Sequence, residues 1–229
     1  PVLAARSTDD YWVAGGEGVY HWNGSSWSLI GRGHFVDLWP APSGELFAVS
    51  SGQFAKMDNG LWQLIPIPDT GWNALWGEAS NSIWAVGDGG KIFYFNGSSA
   101  TTQGSGTGED LNAVHGVAGP TVFAGGDSGI VLRKVGSGSW QDLSFPNTNN
   151  IYDVWGAATG SVWAAAQYGL WHWNGVDWEQ ETLPDGTFYP RAVWGSSPTR
   201  IFVAGTQGRI FSFTGSWSQV ATDFDVSIG

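Results

Sequence analysis

The stretch Ala192-Val193-Trp194-Gly195 begins the clearest copy of a unit that recurs along the whole chain. This copy continues with Arg200-Ile201-Phe202-Val203-Ala204-Gly205, then Gly208-Arg209-Ile210-Phe211-Ser212-Phe213, and reaches Gly215-Ser216-Trp217. Each apolar segment has the length of a β-strand, and residues that favour turns separate the segments. The unit therefore predicts four short strands, here named A to D in chain order.

The position of Trp194 sets the register of the other copies. Its equivalents are Ala4, Trp39, Trp76, His115 and Trp155, which follow one another at intervals of 35 to 40 residues. A period near 40 with four strands is typical of a β-propeller blade, because one four-stranded sheet cannot bury both of its faces alone. We therefore predict an all-β chain that forms one β-propeller of six blades, each with four antiparallel strands. The domain covers residues 1–229, with repeats at about 1–35, 36–72, 73–110, 111–150, 151–189 and 190–229.

Local patterns give further expectations about the strands and turns. Asn-Gly pairs at 23–24, 96–97 and 174–175 stand between strands C and D and favour two-residue type I′ turns. The segment Phe224–Ile228 resembles the start of another strand A, so it either pairs with the first blade or begins a longer array. No window has a sustained helical period, and we expect almost no helix.

Composition limits the classes of partner. The formal net charge is −11, and the nine Lys and Arg residues supply no basic face for nucleic acid. No apolar run approaches the ~18 residues of a membrane span, so no membrane insertion is expected. The chain has no Cys, which excludes disulfides and thiolate metal sites. It begins at Pro1 without Met, as a processed or excised piece would, and we expect an extracellular or cell-surface protein.

The 16 tryptophans are mostly assigned to packing by their positions in the repeat. The strand A set lies within apolar patterns, and we expect it to wedge between neighbouring blades rather than form a ring of sugar-stacking aromatics. This set is Trp39, Trp76, Trp155 and Trp194. A second set begins strand D and should staple the outer turn: Trp27, Trp62, Trp140, Trp178 and Trp217. A third set lies in strand B and should belong to the core: Trp12, Trp84 and Trp163.

The candidate ligand site lies on the loops between strands B and C and between strands D and A, which leave a propeller on the same face and vary between copies. The B–C loops place Glu17, Asp88, Asp127, Gln167 and Gln207 at matching positions. The D–A loops offer His34, Trp72, Asp110, Asn150 and Tyr189. Carboxylates and amides beside exposed aromatic rings suit a sugar, whose ring stacks while its hydroxyls form hydrogen bonds. The alternative is a set of solvated loops with no ligand.

The pattern Ile-Trp-Ala-Val-Gly-Asp-Gly-Gly-Lys-Ile at residues 83–92, together with the turn and tryptophan that follow strand C in other copies, resembles BNR-like (Asp-box-related) and YCF48-like propeller repeats. The resemblance spans the chain and implies the propeller fold. The YCF48-like resemblance also implies a protein-interaction scaffold. An Asp-box carries Ser-x-Asp-x-Gly-x-x-Trp in the C–D turn, whereas Trp22–Trp27 lacks the Asp.

Catalytic sets are not evident in the sequence. Asp37 and Asp153 could supply the paired carboxylates of a glycoside hydrolase, but nothing in the sequence fixes their separation. The four His residues lack the spacing of a metal site. We expect no catalytic residue, metal or cofactor.

The predicted function is therefore a non-catalytic, lectin-like propeller that binds a carbohydrate. A protein-interaction or assembly scaffold is the first alternative, so the ligand on the loop face is a glycan or a protein. A glycoside hydrolase or lyase is the second alternative. The oligomeric state stays open.

Overall fold

A computed structural model describes residues 2–67, 69–117, 119–143 and 145–220. Within these ranges 24 strands form six four-stranded antiparallel sheets, each built from consecutive strands. The helices there are limited to three 3-10 turns, Asp88–Gly90, Asp127–Gly129 and Thr206–Gly208. The chain is thus a six-bladed β-propeller, as predicted. The predicted strand at Phe224–Ile228 lies outside the described residues.

The chain divides into two compact units, Pro1–Asp110 and Leu111–Gly229, and each contains three blades. Blades 1 to 3 comprise β1 (Val2–Ser7), β2 (Asp10–Gly15), β3 (Gly18–Trp22), β4 (Trp27–Gly31), β5 (Asp37–Pro40), β6 (Leu46–Val49), β7 (Phe54–Asp58), β8 (Leu61–Ile65), β9 (Trp72–Ala79), β10 (Ser82–Gly87), β11 (Lys91–Phe95) and β12 (Ala100–Gln103). Blades 4 to 6 comprise β13 (Leu111–Val117), β14 (Thr121–Gly126), β15 (Val131–Val135), β16 (Gln141–Asp142), β17 (Ile151–Ala158), β18 (Ser161–Ala166), β19 (Gly169–Trp173), β20 (Trp178–Gln180), β21 (Pro190–Ser197), β22 (Arg200–Gly205), β23 (Ile210–Phe213) and β24 (Trp217–Val220). The single domain over residues 1–229 stays a prediction.

The core of each unit lies between successive blades. Side chains alternate between the two faces of a strand, so each blade can bury apolar residues against both neighbours. Between blades 5 and 6 one cluster joins Trp155, Trp163, Ala165 and Leu170 to Val193, Ile201, Val203 and Phe211. This alternation explains why an apolar residue occurs at nearly every position of strand B.

The strand A tryptophans pack against a glycine of the next blade. A Cβ at Gly77 would lie 2.7 Å from Cζ3 of Trp39, and a Cβ at Gly195 would lie 2.6 Å from Cη2 of Trp155. These contacts confirm the predicted wedges at Trp39 and Trp155. Trp194 is 59% exposed whereas Trp155 is 7% exposed, and the wedge at Trp194 stays a prediction.

The other two tryptophan sets are largely structural. Trp12, Trp84 and Trp163 are buried in the core, as predicted. In strand D, Trp62 Nε1 donates to the Ile30 carbonyl over 2.9 Å, which ties blade 2 to blade 1. Trp27 differs from this set because it is 48% exposed.

The Asn-Gly connections between strands C and D are not type I′ turns. Gly24 has a φ of 87°, but Asn23 is not among the described residues with positive φ, which a type I′ turn requires at both positions. Instead Asn23 Oδ1 accepts hydrogen bonds from the backbone N–H groups of Ser25 and Ser26. The asparagine side chain therefore organises a four-residue loop, and Asn96 and Asn174 form the same bonds.

No helix among the described residues is long and apolar enough to cross a membrane.

Candidate functional site

The D–A and B–C loops contact each other within each unit, which confirms that they share a face. The Gly89 N–H donates to Asp110 Oδ1 over 2.7 Å in blade 3. The equivalent bond in blade 4 joins the Ser128 N–H to Asn150 Oδ1 over 3.2 Å. Asp110 and Asn150 therefore each use one side-chain oxygen to hold a B–C loop.

Asp88 and Asp127 occupy equivalent positions, as the sequence predicted. Each begins a 3-10 turn and accepts a hydrogen bond from an asparagine near the start of strand A. Asn73 Nδ2 donates to Asp88 Oδ1 over 2.9 Å, and Asn112 Nδ2 donates to Asp127 Oδ1 over 2.8 Å. Asp88 is exposed and Asp127 half-buried, so both carboxylates remain on the loop face.

The predicted match to these aspartates is confirmed for Gln167 and wrong for Gln207. Gln207 is the middle residue of its 3-10 turn with a φ of 61°, so it matches Gly89 and Ser128. Gln167 directly follows strand B, as Asp88 does: the Gln167 N–H donates to the Asn150 carbonyl over 2.9 Å, and the Asp88 N–H donates to the Gly71 carbonyl over 2.8 Å. The turn of Gln167 has only two residues and is closed by the pairing of Ala166 with Gly169. In blade 6 the position of Asp88 and Asp127 is held by Thr206, which begins a turn of the same length.

Trp72 is not a surface ligand contact. It is 1% exposed and packs edge-on against Phe93, with ring centroids 4.7 Å apart. Its Nε1 donates to the Asp69 carbonyl over 2.9 Å. Trp72 is the first residue of β9 and directs its ring into the core, whereas the sequence pattern placed it at the end of a D–A loop. His34, in the preceding D–A loop, is exposed as expected.

Two exposed tyrosines meet on the loop face of blade 5. Tyr168 is 58% exposed and Tyr189 is 42% exposed, and their rings lie 6.0 Å apart at 75°. Gln167 Nε2 donates to the Tyr168 hydroxyl over 3.2 Å. Sequence reasoning found Tyr189 and Gln167 but missed Tyr168. The sequence signal for Tyr168 is a bulky aromatic residue at a B–C turn position where blades 3, 4 and 6 carry Gly89, Ser128 and Gln207.

The backbone beneath this tyrosine pair is fixed by hydrogen bonds. The Tyr189 N–H donates to Thr206 Oγ1, and the Tyr189 carbonyl accepts from the Thr206 N–H, both over 3.1 Å. The Gln180 side chain donates to the Tyr168 carbonyl over 3.3 Å. The two rings are thus presented on ordered loops with little conformational freedom left to lose on binding.

Other groups on the loop side of unit 2 add a cation and a cleft. The Arg191 guanidinium lies 4.2 Å from the ring centroid of Tyr152, a cation–π contact. A cleft of about 270 Å³ adjoins Tyr168 and is also lined by Gln180, Glu181 and Asp185. Polar groups, an aromatic ring and a cation are therefore all available to a ligand here.

The two strand A aspartates that the sequence considered for catalysis are ties between blades. Asp37 Oδ2 accepts from the Leu75 N–H of blade 3 over 2.8 Å, and Asp153 Oδ2 accepts from the Val193 N–H of blade 6 over 2.9 Å. Burial raises the pKa of Asp37 to about 7, against the lowering effect of its hydrogen bonds to Leu75 and Leu38. Each carboxylate is engaged by the backbone of the next blade.

One group of side chains in blade 5 has the residue types of a Ser-His-Glu triad. Ser161 Oγ lies 3.1 Å from His172 Nε2, and His172 Nδ1 lies 4.0 Å from Glu181 Oε1. Burial lowers the pKa of His172, although Glu181 and Glu179 oppose the shift.

The repeat indicates that this group is structural. The equivalent positions of blade 1 are Asp10 and His21, whose side chains meet over 2.6 Å. His21 and His172 both stack on the strand B tryptophan beside them. The Glu181 carboxylate is also used by the indole N–H of Trp217, over 3.0 Å. Among the described residues, no three His, Asp or Glu side chains converge as metal ligands.

Comparison with known proteins finds similarity of fold. No family model and no curated protein matches the chain. The structure of YCF48 bound to D1 peptide is 14% identical with a TM-score of 0.71, and the match covers 95% of this chain and 79% of that one. YCF48 from Cyanidioschyzon merolae is 15% identical with a TM-score of 0.73, covering 96% and 84%. Virginiamycin B lyase from Staphylococcus aureus is 11% identical with a TM-score of 0.81, covering 97% and 84%. At these identities the shared feature is the β-propeller, which serves both binding proteins and enzymes.

Proposed function

We propose that this chain is a non-catalytic binding propeller that holds a segment of another protein on the loop face of blade 5. The observation that carries the proposal is the exposed, nearly perpendicular pair Tyr168 and Tyr189. Tyrosine is enriched at protein interfaces because it adds large apolar area together with a hydroxyl that can form hydrogen bonds.

The surroundings of the pair suit an extended peptide. Two rings at 75° leave an angle into which an apolar side chain fits, and the amide of Gln167 can bond a peptide backbone. The similarity to YCF48, one structure of which holds a peptide, supports a protein ligand over the glycan of the first prediction. Extracellular or cell-surface placement stays a prediction.

A carbohydrate is the second candidate ligand, because the cleft beside Tyr168 favours it. The cleft brings Gln180, Glu181 and Asp185 next to an exposed aromatic ring, and these are the groups that bond sugar hydroxyls and stack on a sugar ring.

The test is selection from a phage-displayed library of random 12-residue peptides, with a glycan array in parallel. The proposal expects peptides that bind the wild type, measured by calorimetry, and lose at least tenfold in affinity when Tyr168→Ala and Tyr189→Ala are combined. Trp27→Ala, another exposed aromatic residue, serves as the matched control and should leave affinity unchanged. Sugar binding without peptide binding, or peptides insensitive to the tyrosine variant, would overturn the proposal.

The non-catalytic part has its own test. A fluorophosphonate probe labels serines that a neighbouring base activates. We expect no labelling of Ser161, whose partner His172 has only a distant carboxylate. Labelling of the wild type that disappears in Ser161→Ala would show a hydrolase.

A further inference from the structure

The backbone at the tyrosine pair, Tyr168 and Tyr189, is already used by hydrogen bonds within unit 2. Tyr189 directs its N–H to the Thr206 hydroxyl and its carbonyl to the Thr206 N–H. The Tyr168 carbonyl accepts from the Gln180 side chain over 3.3 Å. A peptide that bound by adding a strand would need backbone donors and acceptors in alternation along this segment. Strand addition at the tyrosine pair is therefore disfavoured.

The outer strand of the same blade offers a peptide little more backbone. Strand β20 has only three residues, Trp178–Gln180, all of them in register with β19. Directly after it the Glu181 N–H turns inward and donates to the Leu170 carbonyl over 2.9 Å. So short an edge strand gives few groups to pair with. Recognition of a peptide at blade 5 thus falls to side chains.

The side chains of the pair supply aromatic surface and a hydrogen-bond donor. Both rings are exposed, and the Tyr168 oxygen accepts from Gln167 Nε2 over 3.2 Å, which leaves the hydroxyl hydrogen to be donated to a ligand. Proline suits such a site, because its ring packs against aromatic faces and it has no backbone N–H that would need an acceptor. The carbonyl before a proline can accept the hydroxyl hydrogen. Proline-rich segments in the polyproline II conformation use aromatic grooves in this way, and they lose little entropy because they are extended before they bind.

Charge gives a further requirement for the ligand. Residues 151–189 contain five Asp and Glu residues and no Lys or Arg, and Arg191 and Arg209 of blade 6 bring the net charge of the region only to −3. Asp185 pairs with Arg209, and Glu181 accepts from an indole N–H. These carboxylates therefore act on a ligand through their field and not through a direct ion pair. A negative field favours a cationic ligand.

We infer that the segment held at Tyr168 and Tyr189 is a proline-containing stretch in the polyproline II conformation, with Lys or Arg beside the prolines. The inference rests on the proposed function, because it names the chemistry of the ligand at that same site. The distance between the rings agrees with it. Their centroids lie 6.0 Å apart. A polyproline II helix rises ~3.1 Å per residue, so two successive residues span the pair.

The test is calorimetry with a synthetic peptide of two lysines followed by ten prolines. One matched peptide has alternating serine and alanine in place of the prolines, and another has two glutamates in place of the lysines. We expect the lysine–proline peptide to bind about tenfold more tightly than the first and about fivefold more tightly than the second, with an affinity that falls as salt is added.

Variants of the protein assign the binding to the tyrosine pair. Combining Tyr168→Ala with Tyr189→Ala should weaken binding of the lysine–proline peptide about tenfold, as expected for the loss of two aromatic anchors. Tyr168→Phe keeps the ring without the hydroxyl and should weaken it about threefold. Trp27→Ala, an exposed aromatic residue elsewhere, should leave the affinity unchanged. Circular dichroism verifies that the variants are folded.

The outcomes separate this inference from the proposed function. If library peptides depend on Tyr168 and Tyr189 but are not enriched in proline, or if the serine–alanine peptide binds as well as the proline peptide, the inference is overturned and the proposed function stands. If no peptide of any composition depends on the two tyrosines, the proposed function fails and the inference fails with it. Equal binding of the lysine and glutamate peptides overturns the requirement for a cation.

Discussion

The ring of Trp155 lies directly over Gly195 of the next blade, where a Cβ would come within 2.6 Å of Cη2. Trp39 and Gly77 form the same pair in the other unit. Blades 1 and 2 lack both members of this pair. Strand A of blade 1 has Ala4 in place of the tryptophan, and strand A of blade 2 has Pro40 in place of the glycine. The side chain at one position of strand A thus determines whether the next blade needs glycine.

We predict that Gly195→Ala destabilises the protein by about 1–3 kcal/mol, because the added methyl group overpacks the contact with Trp155. Urea unfolding followed by tryptophan fluorescence measures the change. Gly186→Ala is the matched control, since a Cβ there meets no atom within 4 Å and should change stability by less than about 0.5 kcal/mol. Equal stability of the two variants would contradict the account of the wedge.

A second prediction concerns the pH dependence of stability through Asp37. Its folded pKa of about 7 lies above the ordinary value of 3.8, so the folded state binds the proton more tightly than the unfolded state. The contribution of Asp37 to the free energy of unfolding is therefore complete below pH 4 and is lost as the pH rises to about 7. Over this range the free energy of unfolding falls by up to ~1.4 kcal/mol per pH unit. Asp37→Asn cannot ionise and should lack this slope. Urea unfolding from pH 4 to 8 compares the two, and parallel profiles would refute the prediction.

The third prediction tests whether Trp72 has a structural role or the ligand-binding role that the sequence suggested. We expect Trp72→Ala to cost about 3–5 kcal/mol, because it empties a buried site in the core of unit 1. Trp194→Ala should cost about 1 kcal/mol, because most of that ring is exposed. Thermal unfolding measures both. A stable Trp72→Ala protein would mean that the ring is not part of the core.

The fourth prediction tests whether Asp110 holds the B–C loop of blade 3. Asp110→Ala removes the acceptor of the Gly89 N–H, and hydrogen exchange at that amide should become about tenfold faster, equivalent to ~1.4 kcal/mol. Asp110→Asn keeps an acceptor oxygen and should restore protection. NMR exchange rates provide the readout. If Gly89 exchanges equally fast in all three proteins, the loop is held by other contacts.

Most of the fold could be read from the sequence because it depends on local, repeated information. The spacing of the Trp194 equivalents and the alternation within each strand suffice to predict six four-stranded blades. The paired positions of Asp88 and Asp127 were also predictable, because both open a turn of the same length. Gln207 was misplaced by one residue, because residue types alone did not reveal that it takes the middle, positive-φ position of its turn, with a φ of 61°, and that Thr206 precedes it at the position of the aspartates.

The amino-acid sequence by itself determined the blade: its period, its four strands and the faces that its apolar residues take. Only the tertiary structure decided which of those residues a neighbour covers. Trp72 at a strand start is buried, whereas Trp194 in an apolar strand is exposed, and Tyr168 meets Tyr189 across 21 positions of sequence. The physical reason is that burial depends on which elements pack together in three dimensions, as Trp155 packs on Gly195, and the pattern within one strand does not contain that information.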